Sequence, residues 1–414
     1  MTSFSRSIDF ANRRWRQDQT REPRFATANT AAVRQRIGFD NGVSVDIVSD
    51  TLIRHGTARA DSDRADELLY HPIGFMHVAL SSGAKLADIS FGDARQHVRM
   101  TLGPAIYEIV IDPATKLPYS ISRTVSNSML GDVTLETRFA DWSTVDGLKL
   151  PMRIAQRLDR WEVSNISLTS SSINADVGDI SAPASVITSA PFTPAAVTVA
   201  VDSVAPGVWY VTGQTHHSVA IEMSDHMLLV EAPVSDDRTL AVIRKVRELR
   251  PNKPIRAVIN THHHFDHSGG IRAAISEGLA VITDSVNAPF YRQLWSRRFT
   301  IAPDALAKSR KPAVIEVVNG KRVLTSGSRT VELYHIAGSV HSGSMLMVYL
   351  PAEKMLIEAD LYSPPAANAT TIPPAPFARN LVENIDRLGL KVETIVPIHG
   401  RVVPMSDLRA AAAR

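Results

Sequence analysis

Thr261-His262-His263-His264-Phe265-Asp266-His267-Ser268-Gly269-Gly270 is the stretch on which the reading of this chain turns. It follows the apolar run 255–260 and opens a segment, 269–277, with helical patterning. Four histidines and an aspartate on a strand-to-helix loop can converge on a small volume. Neutral imidazole and carboxylate are the donors zinc accepts where thiolate is missing, and the chain has no cysteine. Disulfides, thiolate metal sites and cysteine nucleophiles are excluded on the same count. A run of surface histidines is the competing reading, but such a run does not sit between a Val/Ile strand and a Gly-Gly helix start.

Outward from this segment the chain alternates strands and helices. Upstream, 208–211, 219–223 and 227–231 read as a strand meander. A helix follows at 239–249, with Leu240, Ile243, Val246 and Leu249 on one face. Downstream come a strand at 279–283 and a helix at 286–296. Strands return at 314–318, 331–336, 345–350 and 354–358, and a helix at 377–388 precedes a strand at 394–398. Mixed strands and helices of this kind indicate two sheets covered by helices. Three further segments end apolar strands in a polar residue: Gly338-Ser339-Val340-His341-Ser342-Gly343, Glu358-Ala359-Asp360-Leu361 and Pro397-Ile398-His399-Gly400.

His262-x-His264-x-Asp266-His267, followed in order by His341, Asp360 and His399, resembles the signature of the metallo-β-lactamase superfamily over roughly residues 200–414. The resemblance implies an α+β chain with a C-terminal αββα sandwich as catalytic domain, and two Zn2+ ions per chain. His262, His264 and His341 would hold one ion, Asp266, His267 and His399 the other, and Asp360 would bridge them. It also implies hydrolysis by a metal-bound hydroxide, since two ions sharing a water lower its pKa to around 7. Asp266 would both bind metal and orient that hydroxide, which makes it the catalytic residue of this reading. Lactamases of the superfamily place Cys or Ser where Asp360 stands, whereas lactonases and thioesterases keep the aspartate. A lactone, ester or thioester is therefore the expected small-molecule substrate. β-Lactam hydrolysis is the alternative, and a phosphodiesterase or nuclease activity the third. The oxygen-reducing di-iron branch carries a carboxylate where His264 stands and a flavin domain, and neither is seen.

Other histidines are read more plainly. His263, between two candidate ligands, is expected to point away from the ions, and His335 to make a hydrogen bond or pack. His216 and His217, in the turn Gly213-Gln214-Thr215-His216-His217-Ser218, are candidate substrate contacts. The segment 291–315, with Trp295, Arg297, Arg298 and Phe299, reads as pocket wall or as an amphipathic surface helix.

The remainder bounds the whole molecule. A chain of 414 residues is long for one hydrophobic core, so two domains are expected. Residues 1–180 read as an antiparallel β-rich domain, 181–200 as an Ala/Pro/Ser/Thr-rich linker, and 201–414 as the catalytic domain. Alternating stretches at 43–47, 84–89, 107–111, 133–139 and 162–168 carry the first domain, with one helical stretch at 73–80. Pro72-Ile73-Gly74-Phe75, Ile111-Asp112-Pro113-Ala114-Thr115 and Leu130-Gly131-Asp132-Val133 resemble an extension found ahead of this fold in some bacterial members, similar to lipoprotein-carrier sheets. His55, His71, His77 and His97 are scattered there and read as surface or packed side chains. Arg13, Arg14, Arg16, Arg21 and Arg24, interleaved with Trp15 and Phe25, read as an exposed basic strand. With a net charge of only +3, no nucleic-acid partner is expected. No apolar run reaches about 18 residues, so no membrane span is expected. Residues 1–16 lack an apolar signal core, which predicts a cytoplasmic protein, or a periplasmic one if a leader has been removed.

Overall fold

The computed structural model describes residues 3–413 except 23, 26–27, 30–31, 55, 82, 90–91, 194, 214 and 366–374. His55 therefore lies outside the described residues. The chain divides into two compact units. One comprises Met1–Arg24, Asn29–Asn127 and Asp132–Ala195, the other Ala196–Arg414 with the short pieces Phe25–Ala28 and Ser128–Gly131.

The first unit contains two larger sheets where the sequence suggests one. Ser3–Asp9, Arg14–Arg21, Val33–Asp40, Val43–Val48 and Thr51–Arg54 form a five-stranded sheet in chain order. Arg14–Arg21 is a strand, as expected, but not an exposed one. Its alternation buries Trp15, Gln17 and Gln19 and leaves Arg14 and Arg16 on the other face. Trp15 packs with Phe39 and Leu68, and its indole N–H donates to the Arg64 carbonyl at 3.0 Å. The helix Ala58–Asp66, which has no apolar stripe to announce it, is held by polar bonds. Asp61 accepts from the Ser44 backbone and hydroxyl, and Arg64 pairs with Asp46 at 2.7 Å.

The second sheet has seven strands in meander order from Ala84–Ile89 to Trp161–Ser167. The helix Pro72–Ala79 caps its apolar face, setting Phe75 against Met100, Tyr107, Ile121 and Phe139. The scattered histidines have structural partners here. The His71 ring accepts from the Ile73 N–H at the helix start, and burial pushes its pKa down to about 4. His97 lies between Asp93 and Glu108, while His77 is exposed.

The second unit is built on two sheets. Ala200–Ala205, Val208–Thr212, Ser218–Glu222 and Met227–Val230 form an antiparallel meander. Ile255–Ile259, Ala280–Asp284 and Ile315–Val318 then add in parallel, making seven strands. The other sheet has six strands, Lys321–Ser326, Arg329–His335, Leu346–Leu350, Met355–Glu358, Thr394–Pro397 and Val403–Pro404. Alternation along Val208–Thr212 shows how the layers form. Val208 and Tyr210 enter a core lined by both sheets, including Leu333, Val348 and Ile357. Trp209 and Val211 face the other way, into a cluster with Val242, Ile243, Ile275 and Leu294. Those residues lie on the helices Asp236–Leu249, Ile271–Ser276 and Ala288–Ser296. Beyond the six-stranded sheet, Leu381, Ile385 and Leu408 of Ala375–Arg387 and Met405–Ala412 make a third cluster. Sheets covered on both faces read as unbroken apolar runs, which is why Met227–Val230, Leu346–Leu350 and Met355–Glu358 are buried at every position. The result is the expected αββα sandwich. Among the described residues no helix is long and apolar enough to cross a membrane.

The Gly-Gly pair closes the histidine loop against its neighbours. A Cβ on Gly270 would stand 2.0 Å from Thr239 Oγ1, and one on Gly269 would stand 2.2 Å from the Val234 carbonyl oxygen. Gly270→Ala should therefore lower the unfolding free energy by about 1–3 kcal/mol, the usual cost of overpacking. Urea denaturation measures this, and a midpoint unchanged from wild type would show that the loop yields freely.

Residues 181–200 also admit a test. The Ala182 N–H donates to the Asp40 carboxylate at 2.6 Å, and Arg54 donates to the Ser189 carbonyl. We propose that the boundary between the two units lies in the later part of that stretch. Limited proteolysis should cut within 190–199 and release a C-terminal fragment. Cleavage inside 210–360 instead would count against separate domains.

Candidate metal centre

Every polar residue of the centre sits where an apolar strand ends, and a buried acid braces each sheet's contribution. The strand Ile255–Ile259 leads directly into Asn260-Thr261-His262. The Glu231 carboxylate, fully buried after Met227–Val230, accepts from the Thr261 N–H at 2.8 Å and the Asn260 amide at 3.2 Å. Tyr291 donates its hydroxyl to Asn260 from the far side. His264 then precedes the one-turn helix Phe265–Ser268, which presents Asp266 and His267. The Ser268 hydroxyl fixes that turn by donating to the carbonyls of His263 and His264. In the other sheet, Glu358 ends Met355–Glu358 and accepts from the N–H groups of Leu361 and Tyr362 at 3.1 and 3.3 Å. Asp360 stands between them in the left-handed region, with φ 65°. His399 follows Thr394–Pro397, where the Tyr210 hydroxyl donates to the Pro397 carbonyl at 2.7 Å.

The seven residues singled out as ligands come together, in two groups. His262, His264, His341 and Asp360 form one; Asp266, His267 and His399, joined by His216, form the other. In the first, His262 Nε2 lies 3.0 Å from His264 Nδ1 and 3.3 Å from His341 Nε2. In the second, His267 Nε2 lies 3.2 Å from His399 Nε2. The Asp360 carboxylate reaches both groups. Its Oδ2 is 2.9 Å from His341 Nε2 and 3.2 Å from His262 Nε2, and its Oδ1 is 2.7 Å from His399 Nε2.

These spacings fit a divalent ion. Donors at the corners of a tetrahedron with bonds of 2.0–2.1 Å stand about 3.3 Å apart, and the imidazole nitrogens here stand 3.0–3.3 Å apart. The protonation states fit as well. Burial holds His262 down to about 3, and His264 is lowered by the same cause, so both offer neutral nitrogens. Burial also opposes charge on His267, yet its bond to Asp360 and the charges of Glu231, Asp360 and Asp266 raise it to about 9. The surrounding carboxylates thus favour a positive charge here, and an ion bound by His267 would take the place of that proton. Asp360 is buried, but its bonds to four histidines hold it far below the usual carboxylate range. Glu231, raised to about 7, and Glu358, raised to about 8, are pushed up chiefly by burial.

The other histidines fall elsewhere. His263 Nδ1 is 3.0 Å from Asn287 Oδ1 and 3.3 Å from Ser344 Oγ. His335 pairs with Asp284 at 2.8 Å. His217 is buried beside Tyr210, with Nε2 3.1 Å from the Gly400 carbonyl, whereas His216 faces the centre. Trp295 stacks on the buried Tyr291, and Phe299 lies under the Arg272 guanidinium. The sequence reading missed Glu231, Glu358 and Arg238, all fully buried. Glu231 follows an apolar strand and Glu358 ends one, places where an ordinary strand terminus also puts an acid.

Part of the chain is similar to known proteins. A model of the metallo-beta-lactamase superfamily matches residues 212–399. A linear primary-alkylsulfatase from a Pseudomonas species is 35% identical over 57 residues, which are 14% of this chain and 8% of that protein. Solved structures resemble about half of the chain. A metallo-beta-lactamase from Pontibacter korlensis has a TM-score of 0.41 and 19% identity, covering 52% of this chain and 98% of its own. One from Hirschia baltica has a TM-score of 0.39 and 20% identity, covering 52% and 97%. Residues 212–399, which carry every histidine and aspartate of both groups, match the metallo-beta-lactamase superfamily, whose members are metal-dependent hydrolases.

Proposed function

We propose that this chain is a dinuclear zinc hydrolase acting on a small carbonyl substrate, a lactone, ester or thioester. The observation that carries the reading is Asp360, a single carboxylate that reaches both groups of donors, with Oδ2 2.9 Å from His341 and 3.0 Å from His267 and Oδ1 2.7 Å from His399. Two zinc ions, when bound, supply Lewis acidity and a water acidified to near neutrality. His262, His264 and His341 would hold one ion, Asp266, His267 and His399 the other, and Asp360 both. The chain's own residues account for the rest. His262 and His267 have no side-chain exposure and form the floor. His341, His399 and Asp266 are 21%, 21% and 48% exposed and face the approaching substrate. Phe377 packs edge-on against His341 and gives that rim an apolar edge. Asp266 is held below the usual carboxylate range, first by neighbouring His216 and then by the charge on His267. It therefore stays ionised at neutral pH and accepts a hydrogen bond from water, orienting it without removing its proton.

A second reading, hydrolysis of an alkyl sulfate ester, is favoured by the short match to the Pseudomonas alkylsulfatase. A screen with lactones, thioesters, β-lactams, phosphodiesters and a long-chain alkyl sulfate separates the two, together with the β-lactamase and phosphodiesterase alternatives.

Elemental analysis of protein purified without chelator should find about two zinc ions per chain; a metal-free preparation that cannot be reloaded would remove the whole reading. Asp266→Asn should reduce turnover of the best substrate at least about a hundredfold while circular dichroism stays unchanged. Near-normal turnover would show that Asp266 has no such role.

Asp360 also bears on substrate class. Its charge draws the second ion in close, where that ion can stabilise a departing alkoxide or thiolate. kcat/KM for the best lactone, ester or thioester should exceed that for the best β-lactam by more than about tenfold, or roughly 1.4 kcal/mol. Asp360→Ser should narrow the gap. A wild-type preference for penicillins or carbapenems would overturn the assignment.

A further inference from the structure

We propose that His216 is an additional protein ligand of the second ion, beside Asp266, His267 and His399. The inference rests on the dinuclear reading and adds to it a donor from a different part of the chain, the loop between the strands Val208–Thr212 and Ser218–Glu222.

Position is the first argument. His216 Nε2 lies 3.1 Å from Asp266 Oδ2, and its ring centroid lies 4.1 Å from that of His399 and 5.5 Å from that of His267. The four donor atoms all fall within 4.8 Å of one another. Two donors on one ion, with bonds of 2.0–2.1 Å, can be at most about 4.2 Å apart. The widest pair would have to close by at most about 0.6 Å.

Orientation is the second. A histidine that binds metal through one nitrogen usually has the other fixed by a hydrogen bond. His216 Nδ1 is 2.7 Å from the hydroxyl of the preceding Thr215. His262, in the first group, has the same arrangement, with Nδ1 3.0 Å from the hydroxyl of the preceding Thr261. In both Thr-His pairs, donation from Nδ1–H to the hydroxyl oxygen leaves the Nε2 lone pair facing the centre.

The third argument is how firmly the loop is held. The Arg238 guanidinium, with no exposure, donates to the carbonyls of His216 at 3.1 Å and Val211 at 3.4 Å. The His217 N–H donates to the Ile398 carbonyl at 2.9 Å, and its ring meets Gly400. These bonds tie the backbone around His216 to the residues on either side of His399. With His216 counted, the second ion would have His216, Asp266, His267, His399 and Asp360, and the first only His262, His264, His341 and Asp360. The first ion would then have fewer protein donors than the second.

The competing role is a hydrogen bond from His216 Nε2–H to Asp266, which requires the other tautomer. Cobalt(II) titration of the chelator-treated full-length protein distinguishes the two, followed by proton NMR of the dicobalt form. Wild type should take up two equivalents and show six paramagnetically shifted imidazole N–H signals, from His216, His262, His264, His267, His341 and His399. His216→Asn keeps a side chain able to hydrogen-bond Asp266 but ligates poorly. It should bind the second equivalent about 10- to 100-fold more weakly, lose one shifted signal and bind the first equivalent normally. Five signals in wild type would overturn the proposal, and so would wild-type affinity in His216→Asn with weakened binding only in His216→Ala. Failure of wild type to bind a second equivalent at all would remove the dinuclear reading itself, and this ligand with it.

Discussion

Asp360 places a charged carboxylate in the interior of the second unit, and the polar architecture around it exists to hold it there. A charge taken out of water costs several kcal/mol unless partners compensate it. The compensation comes from His262, His267, His341 and His399, all between 2.7 and 3.2 Å from its oxygens. Burial first, and then the same charge two residues away, raise Glu358 above the usual carboxylate range. Glu358 in turn bonds the backbone that keeps Asp360 in its left-handed conformation. Such backbone strain costs on the order of 1–3 kcal/mol and persists where the surroundings over-determine it.

The metal centre was more legible in the sequence than the scaffold behind it, for a physical reason. Donors must be His or Asp, and loops must deliver them at strand ends, so chemistry and position are both written in residue types. The αββα layers were legible too, because strands covered on both faces lose their polar alternation. Glu231 and Glu358 were not, because a lone acid after an apolar strand looks like an ordinary strand terminus. Only the fold shows that each is sealed inside and bonds the loop beside it. The helix Ala58–Asp66 was missed because polar bonds, not an apolar face, secure it. Trp15 was misplaced because the arginines flanking it alternate with buried residues on the same strand.

Substrate choice belongs to a different layer from metal chemistry. The floor is closed and polar, made by His262 and His267, while the exposed side carries His341, Asp266 and the ring of Phe377. In the dinuclear reading the floor residues would answer to the ions alone, whereas His341 and Asp266 would answer both to an ion and to the molecule that arrives. Phe377, which is no donor, is the rim residue freest to change.

The donors also come from both sheets. His262, His264 and His267 follow a strand of one, and His341, Asp360 and His399 follow strands of the other. An ion held between them would act as a reversible cross-link clamping the two halves of the sandwich, closing a loop from His262 to His399. Cross-links that span long stretches remove conformational freedom mainly from the unfolded chain, with a gain that grows slowly with span. Ligands that bind only the folded state add stability in proportion to the logarithm of their concentration. The durability of this protein would then be set partly by the free-metal level of its surroundings, so that metal starvation would loosen the fold as well as silence the site.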